Sequence, residues 1–146
     1  MNARDYLESL QEDSERIQIK QEQVQRLHES LTALSVPTDK EQVSHTKNVT
    51  VLADTVAQIV DMEKEIDQQL ELLYQKQRQA RAFFSQLKPK YEKILIERYI
   101  NRKQIEELMD ELCFSRTDAF RQIAAAINAL QQFLDSQKNL GLIGTD

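Results

Sequence analysis

The sequence predicts an all-α fold in which a long, coiled-coil-like helical hairpin is followed by a C-terminal helix-turn-helix. Two observations lead to this prediction. Glycine and proline are scarce, with two of each among 146 residues, and apolar residues recur at the three-, four- and seven-residue intervals of helices. We expect a hairpin and assembly region at residues 1–88, a helix-turn-helix at residues 89–135 and a flexible tail at residues 136–146.

The first predicted helix carries a seven-residue repeat. Its repeating positions are Leu10, Ile17, Val24 and Leu31, the spacing that forms the seam of a coiled coil. Pro37 should end this helix, because proline disfavours helical backbone in the residue before it. The polar residues that follow are expected to form a loop as far as Asn48.

A second long helix is predicted to begin near Val49 or Thr50 and to continue until Pro89 breaks or kinks it. Most of its apolar residues fall on one helical face; they are Leu52, Val56, Ile59, Val60, Met62, Ile66, Leu70, Leu73, Tyr74, Phe83, Phe84 and Leu87. Two helices alone leave much of each apolar stripe in water, so we expect a homodimer. The alternative is an intramolecular bundle in which a helix at residues 90–101 and the helix-turn-helix cover the stripe.

The helix-turn-helix is predicted from two amphipathic segments around a short break. The first runs from Lys103 to Leu112, with Ile105, Leu108, Met109 and Leu112 on one face and Glu106, Glu107, Asp110 and Glu111 on the other. Cys113 is expected to pack in the turn as a small buried thiol. Ser115 can then cap a helix that begins near Arg116. The apolar stripe of that second helix is Phe120, Ile123, Ile127, Leu130 and Leu134.

Such a pair of helices can place the N-terminal part of the second one in the major groove of DNA. The candidate DNA-binding residues are Arg102, Lys103, Ser115, Arg116, Thr117, Arg121 and Gln122. Arg121 could reach the O6 and N7 atoms of guanine, whereas Arg102, Lys103 and Arg116 are better placed for phosphates. The alternative is an ordinary helical hairpin with no DNA-binding role, which hydrophobic periodicity does not distinguish.

The charge distribution supports a local nucleic-acid site in an acidic protein. The formal net charge is -5, made up of -8 for residues 1–75, +7 for residues 76–103 and -4 for residues 104–146. The cationic segment lies just ahead of the predicted motif. A local cluster of basic residues is the charge pattern expected of a nucleic-acid-binding surface. With about five phosphate contacts, the logarithm of the DNA-binding constant should fall with the logarithm of the salt concentration with a slope of roughly -4 to -5. The alternative is a solvated helix face that pairs with the acidic N-terminal half.

The C-terminal motif resembles the helix-turn-helix of sigma-factor region four. The resemblance is carried by Arg98-Tyr99-Ile100, Lys103, Glu106-Glu107-Leu108, Leu112, Phe114-Ser115 and Ala129-Leu130. Over nearly its full length the chain resembles the ArpU-like phage and prophage proteins, with further similarity at residues 1–7, in the polar loop and at residues 56–66. This resemblance implies a regulator of late-gene transcription that acts in the cytoplasm of a bacterial host and could contact the host RNA polymerase.

Other functional classes find little support in the sequence. No apolar run approaches the length of a membrane span, so we expect no membrane association. His28 and His45 lie far apart, and the acidic residues have neither the spacing of a calcium loop nor a histidine partner. We therefore predict no enzyme activity, no cofactor and no metal. The alternatives to a regulator are a non-catalytic adaptor or inhibitor that keeps the fold without DNA binding, and a small terminase-like packaging subunit.

Overall fold

The computed structural model describes residues 1–35 and 45–140, and every regular element in them is helical. These residues contain five α-helices, which are α1 (Ala3–Ser35), α2 (His45–Phe84), α3 (Pro89–Leu95), α4 (Ile105–Leu112) and α5 (Arg116–Asn139). A π-helical turn, Ile96–Ile100, continues α3. The predicted all-α class is confirmed.

The start of the second long helix differs from the sequence expectation. It begins at His45 rather than near Val49 or Thr50, so His45 does not belong to a loop. Neither glycine nor proline occurs between His45 and Asn48, and polar residues are compatible with an early helical turn. The predicted helix stop at Pro37 and the loop after it lie outside the described residues.

The end of α2 and the start of α3 follow from the chemistry of proline. The last turn of α2 tightens where the amide of Leu87 donates to the carbonyl of Phe84 (3.0 Å). Lys88 is extended, with φ -60° and ψ 143°, and Pro89 opens α3. Proline suits the first position of a helix because its missing N–H would have no partner there. The predicted break ahead of Pro89 is confirmed, although α2 ends at Phe84 and does not include Leu87.

The chain divides into two compact units, neither of which ends at residue 88. The second unit comprises described residues 14–35 and 45–72. Its buried side chains are Ile17, Val24, Ile59 and Ile66, seven residues apart on each helix. Lys20 pairs with Glu65 and His28 with Glu63, so its two helical segments run antiparallel.

The first unit comprises described residues 1–13 and 73–140. Its hydrophobic core joins the beginning of α1 and the end of α2 to the three C-terminal helices; the fully buried large side chains are Leu7, Leu10, Phe84, Leu95, Leu108, Leu130 and Leu134. Gln131 on α5 accepts from the amide of Ala3 (2.7 Å), and Gln11 donates to the carbonyl of Arg98 (3.1 Å). The sequence boundary at residue 88 differs from this division because apolar residues on both sides of it share one core.

Some residues of the predicted apolar stripes are exposed. In α2 these are Val56, Val60 and Tyr74, which lie beside the buried line of Ile59, Ile66 and Leu73. A two-helix contact covers only a narrow seam, so the flanking positions stay in water.

The predicted flexible tail is partly helical. Residues 136–139 continue α5, whose final turn includes a bond from the amide of Leu140 to the carbonyl of Ser136 (3.1 Å). Residues 141–146 lie outside the described part of the chain. No described helix is long and apolar enough to cross a membrane.

Candidate nucleic-acid interface

A three-residue connection sets α5 against α4. Cys113 ends α4 in the left-handed conformation, with φ 57° and ψ 40°, and its amide donates to the carbonyl of Met109. Its side chain is exposed, so the predicted buried thiol is wrong. The left-handed backbone turns the chain sharply, and the side chain therefore points away from the packed faces of both helices.

Ser115 begins α5 as the sequence predicts. Its backbone is extended, with φ -71° and ψ 165°, and its Oγ accepts from the amide of Asp118 (3.2 Å). This bond satisfies one of the amides that a helix start leaves without an internal partner. Ser115 therefore positions the neighbouring side chains of α5 through the backbone.

The first two turns of α5 present two arginines and a threonine to solvent. The side chains of Arg116 and Arg121 are 63% and 71% exposed, and Thr117 is exposed. The Nη1 atom of Arg116 lies 3.5 Å from Oε1 of Glu106, and the Nη1 atom of Arg121 lies 3.5 Å from Oδ1 of Asp118. Exposed pairs of this length contribute little, so both guanidinium groups can exchange their partners for a ligand.

Phe120 belongs to this exposed surface and not to the core. It is 51% exposed, which contradicts its predicted place in the buried stripe of α5. The stripe passes instead through Ala119 and Ala126, both almost fully buried. These small residues allow α5 to pack closely in the core, and they move the centre of its buried face away from Phe120. The helical positions of Ala119 and Ala126 were the signal in the sequence that could have shown this.

Gln122 occupies the edge of the packed interface. It is half-buried and borders a narrow apolar crevice beside Leu108, Leu112 and Phe114. Of the two outward-facing candidates on this turn of α5, Arg121 is therefore far more accessible than Gln122.

Lys103 joins two acidic side chains. Its Nζ contacts Glu97 and lies 2.6 Å from a carboxylate oxygen of Glu111. Hydrogen bonds to Glu111 and then to Glu97 raise the pKa of Lys103, and the hydrogen bond from Lys103 lowers the pKa of Glu97. This bridge between the π-helical turn and α4 occupies the ammonium group. Helical periodicity does not predict it, because the partners lie six and eight residues away in the sequence.

The residues around Lys103 stabilise an irregular backbone. Arg98 donates through its guanidinium to the carbonyl of Lys103 (2.8 Å), and the amide of Lys103 donates to the carbonyl of Glu97 (3.0 Å). Arg102 has a positive φ of 59° and is half-buried. Arg102 and Lys103 therefore belong to the connection that sets α4 in place.

Most of the other cations in the segment from residue 76 to residue 103 are exposed. Lys76 pairs with Asp13 (3.0 Å). Arg78, Arg81 and Lys88 are exposed and take part in no ion pair within the described chain. These three side chains are free to meet phosphates.

The outer face of α4 carries the opposite charge. Glu106, Glu107, Asp110 and Glu111 are all exposed, so the two helices of the motif differ in electrostatic character. Among the described residues, no group of three or more histidine, cysteine, aspartate and glutamate side chains could hold a metal ion.

The comparisons with known proteins identify a family. Neither a curated protein nor a solved structure matches the chain. Residues 30–131 match the model of DUF1492, described as a protein family of unknown function. This match spans the end of α1, the described part of α2, α3, α4 and the first two-thirds of α5. The chain therefore belongs to the DUF1492 family.

Proposed function

We propose that this protein binds double-stranded DNA through the N-terminal part of α5 and regulates transcription. The observation that carries the proposal is the exposure of Arg116, Thr117 and Arg121 on the first two turns of a 24-residue helix that follows a serine-capped turn. A helix presented in this way can enter the major groove, where arginine recognises guanine through two hydrogen bonds.

The exposed cations outside the motif supply a second type of contact. Arg78, Arg81 and Lys88 can neutralise phosphates without reading the sequence. Ser115 and Lys103 support the site by setting the helix start and the connection before α4. Of the predicted DNA-binding residues, we therefore assign base contacts to Arg121 and Thr117 and a phosphate contact to Arg116.

The biological setting rests on the resemblance to ArpU-like proteins. It favours a phage or prophage regulator of late genes, located in the cytoplasm of the bacterial host, where its DNA and the RNA polymerase are found. A homodimer would suit two half-sites about 34–36 Å apart. Exposed apolar residues on the second unit, such as Val56 and Val60, agree with such an assembly.

Binding to fragmented phage DNA across a salt series tests the proposal, with single arginine substitutions as variants. Arg121→Ala should weaken binding to the selected fragment by about 5- to 150-fold, equivalent to about 1–3 kcal/mol for a lost bidentate base contact. Arg116→Ala should weaken binding to all fragments and reduce the salt slope by about 1.

Arg16→Ala is the matched control, because Arg16 is exposed and belongs to the second unit, whereas the motif belongs to the first. It should bind DNA as the unmodified protein does. Unchanged affinity in both the Arg116 and the Arg121 variants would refute the assignment of the site to α5.

A second candidate function is that of a protein-binding adaptor or inhibitor, and the acidic face of α4 favours it. Glu106, Glu107 and Asp110 would repel phosphates close to the helix that should approach DNA. The same salt series separates the two functions. Selection of one fragment at moderate salt supports a regulator, whereas binding without selection that vanishes uniformly as salt rises supports an adaptor.

A further inference from the structure

Phe120 is the exception among the five phenylalanines of the chain. Phe84 is fully buried, and Phe83, Phe114 and Phe133 pack against the core of the first unit. Phe120 takes no part in that core and is 51% exposed. Phe120 lies one helical turn after Arg116 and three residues after Thr117, both exposed, so its ring forms part of the candidate DNA-binding surface.

The neighbours of Phe120 define the kind of ligand. The guanidinium of Arg116, one turn earlier, lies over its ring at 5.9 Å from the ring centre. Arg121 follows it directly, and Thr117 and Ala124, three residues before and four residues after it, are exposed on the same helical face. Thr117, Phe120 and Ala124 thus form an apolar strip that lies between two arginines. Such a strip suits a negatively charged polymer that exposes an apolar group where the helix contacts it.

In the major groove of DNA, one base has such a group. Thymine presents its C5-methyl there, and alanine, the methyl group of threonine and phenylalanine make apolar contacts with it. A phenyl ring can neither donate nor accept the hydrogen bonds that distinguish the other base edges. Arg116 supplies a phosphate contact on one side of the strip, and Arg121 reaches a guanine edge on the other.

We propose that Phe120 is a specificity-determining residue that packs against thymine methyl groups, so that the preferred DNA site contains thymine opposite this turn of α5. This inference rests on the proposed DNA-binding function and names what that site recognises. Removing one contacted methyl group should weaken binding about fourfold, which corresponds to about 0.8 kcal/mol for a buried methyl-sized group.

The experiment combines a change in the protein with a change in the DNA. The probe is the duplex that binds most tightly after selection from a random pool, compared with the same duplex carrying deoxyuridine in place of thymidine. The unmodified protein should lose about fourfold in affinity for each contacted methyl group. Phe120→Ala should bind the thymidine duplex more weakly and show no further loss with deoxyuridine.

Two variants serve as controls. Phe120→Leu keeps an apolar side chain and should retain part of the preference for thymidine. Leu140→Ala removes another exposed apolar side chain, 68% exposed in the same unit, and should leave the preference intact. Because Phe120 is exposed, all three variants should keep the helical circular dichroism of the unmodified protein.

The outcomes separate this inference from the function on which it rests. Selection of no duplex would refute the DNA-binding function and this inference together. A selected duplex that binds equally well with thymidine and deoxyuridine, or a loss with deoxyuridine that persists in Phe120→Ala, would overturn the role of Phe120 alone. Loss of a protein partner in Phe120→Ala, with DNA selection unchanged, would assign the strip to a protein contact and also overturn the inference.

Discussion

Cys113, in the turn between α4 and α5, adopts a backbone conformation that is unfavourable for any residue with a Cβ atom. Its φ of 57° lies in the left-handed region, which costs a residue with a Cβ atom roughly 1–2 kcal/mol. Glycine avoids this cost, although its greater freedom in the unfolded chain offsets part of the gain. The exposed thiol makes no core contact that the change would remove.

Cys113→Gly should therefore raise the free energy of unfolding by up to about 1 kcal/mol. The measurement is the urea midpoint by circular dichroism. Cys113→Ala is the matched control, because it removes the thiol but keeps the Cβ atom, and its midpoint should stay close to that of the unmodified protein. A glycine variant less stable than the alanine variant would contradict the strain at this position.

At the residue scale, local chemistry was predictable and spatial neighbours were not. The cap at Ser115 and the break at Pro89 depend on residues adjacent in sequence, and both are confirmed. The exposure of Phe120 depends on which flank of α5 packs closely, and the bridge at Lys103 depends on a backbone path with a positive φ at Arg102. Helical periodicity contains neither piece of information.

At the element scale, the Lys103 bridge links the π-helical turn to α4, and its stability should depend on pH. The pKa of Glu97 is lowered in the folded protein. The ionised Glu97 therefore adds to the free energy of unfolding above the ordinary glutamate pKa of about 4.3, and this stabilisation is lost as the pH falls through the lowered pKa of the folded state. The pKa of Lys103 is raised, so its contribution is present below the ordinary lysine pKa of about 10.4 and is lost as the pH rises through the raised value.

Lys103→Met should accordingly be less stable than the unmodified protein at pH 7, and the difference should shrink as the pH falls below about 4. Urea unfolding at a series of pH values measures it. Lys88→Met is the control, since Lys88 is exposed and takes part in no ion pair among the described residues. A Lys103 variant whose stability difference is constant across this pH range would rule out the bridge as its cause.

The order and type of the elements were more predictable than their bounds. Seven-residue spacing indicated long helices, and buried Ile17, Val24, Ile59 and Ile66 have that spacing. The sequence predicts the start of α2 too late, because the polar residues before Val49 are typical of a loop although none of residues 45–48 breaks a helix. The end of α5 is predicted too early because the two glycines near the end of the chain favour fraying, whereas the helix continues through Asn139.

At the scale of the whole molecule, the helix-turn-helix shares its core with the beginning of α1. Leu10 is fully buried in the cluster that also contains Leu95, Leu108 and Leu130. The sequence boundary at residue 88 could not reveal this sharing, because periodicity shows which face of a helix is apolar but not which distant segment covers it. The motif should therefore unfold together with the beginning of α1.

Leu10→Ala tests this coupling, because deletion of a fully buried leucine side chain lowers the free energy of unfolding by roughly 2–5 kcal/mol. Ile19→Ala is the matched control on the same helix; Ile19 is 55% exposed, and its loss should change stability by less than about 0.5 kcal/mol. Hydrogen exchange of the backbone amides of α5 provides the measurement. If the motif and α1 share one cooperative core, protection in α5 should fall in the Leu10 variant by the same free energy as global stability. The opposite result would be unchanged amide protection in α5 together with reduced amide protection in α1. It would show that the motif folds as an independent unit, as the predicted boundary at residue 88 implies.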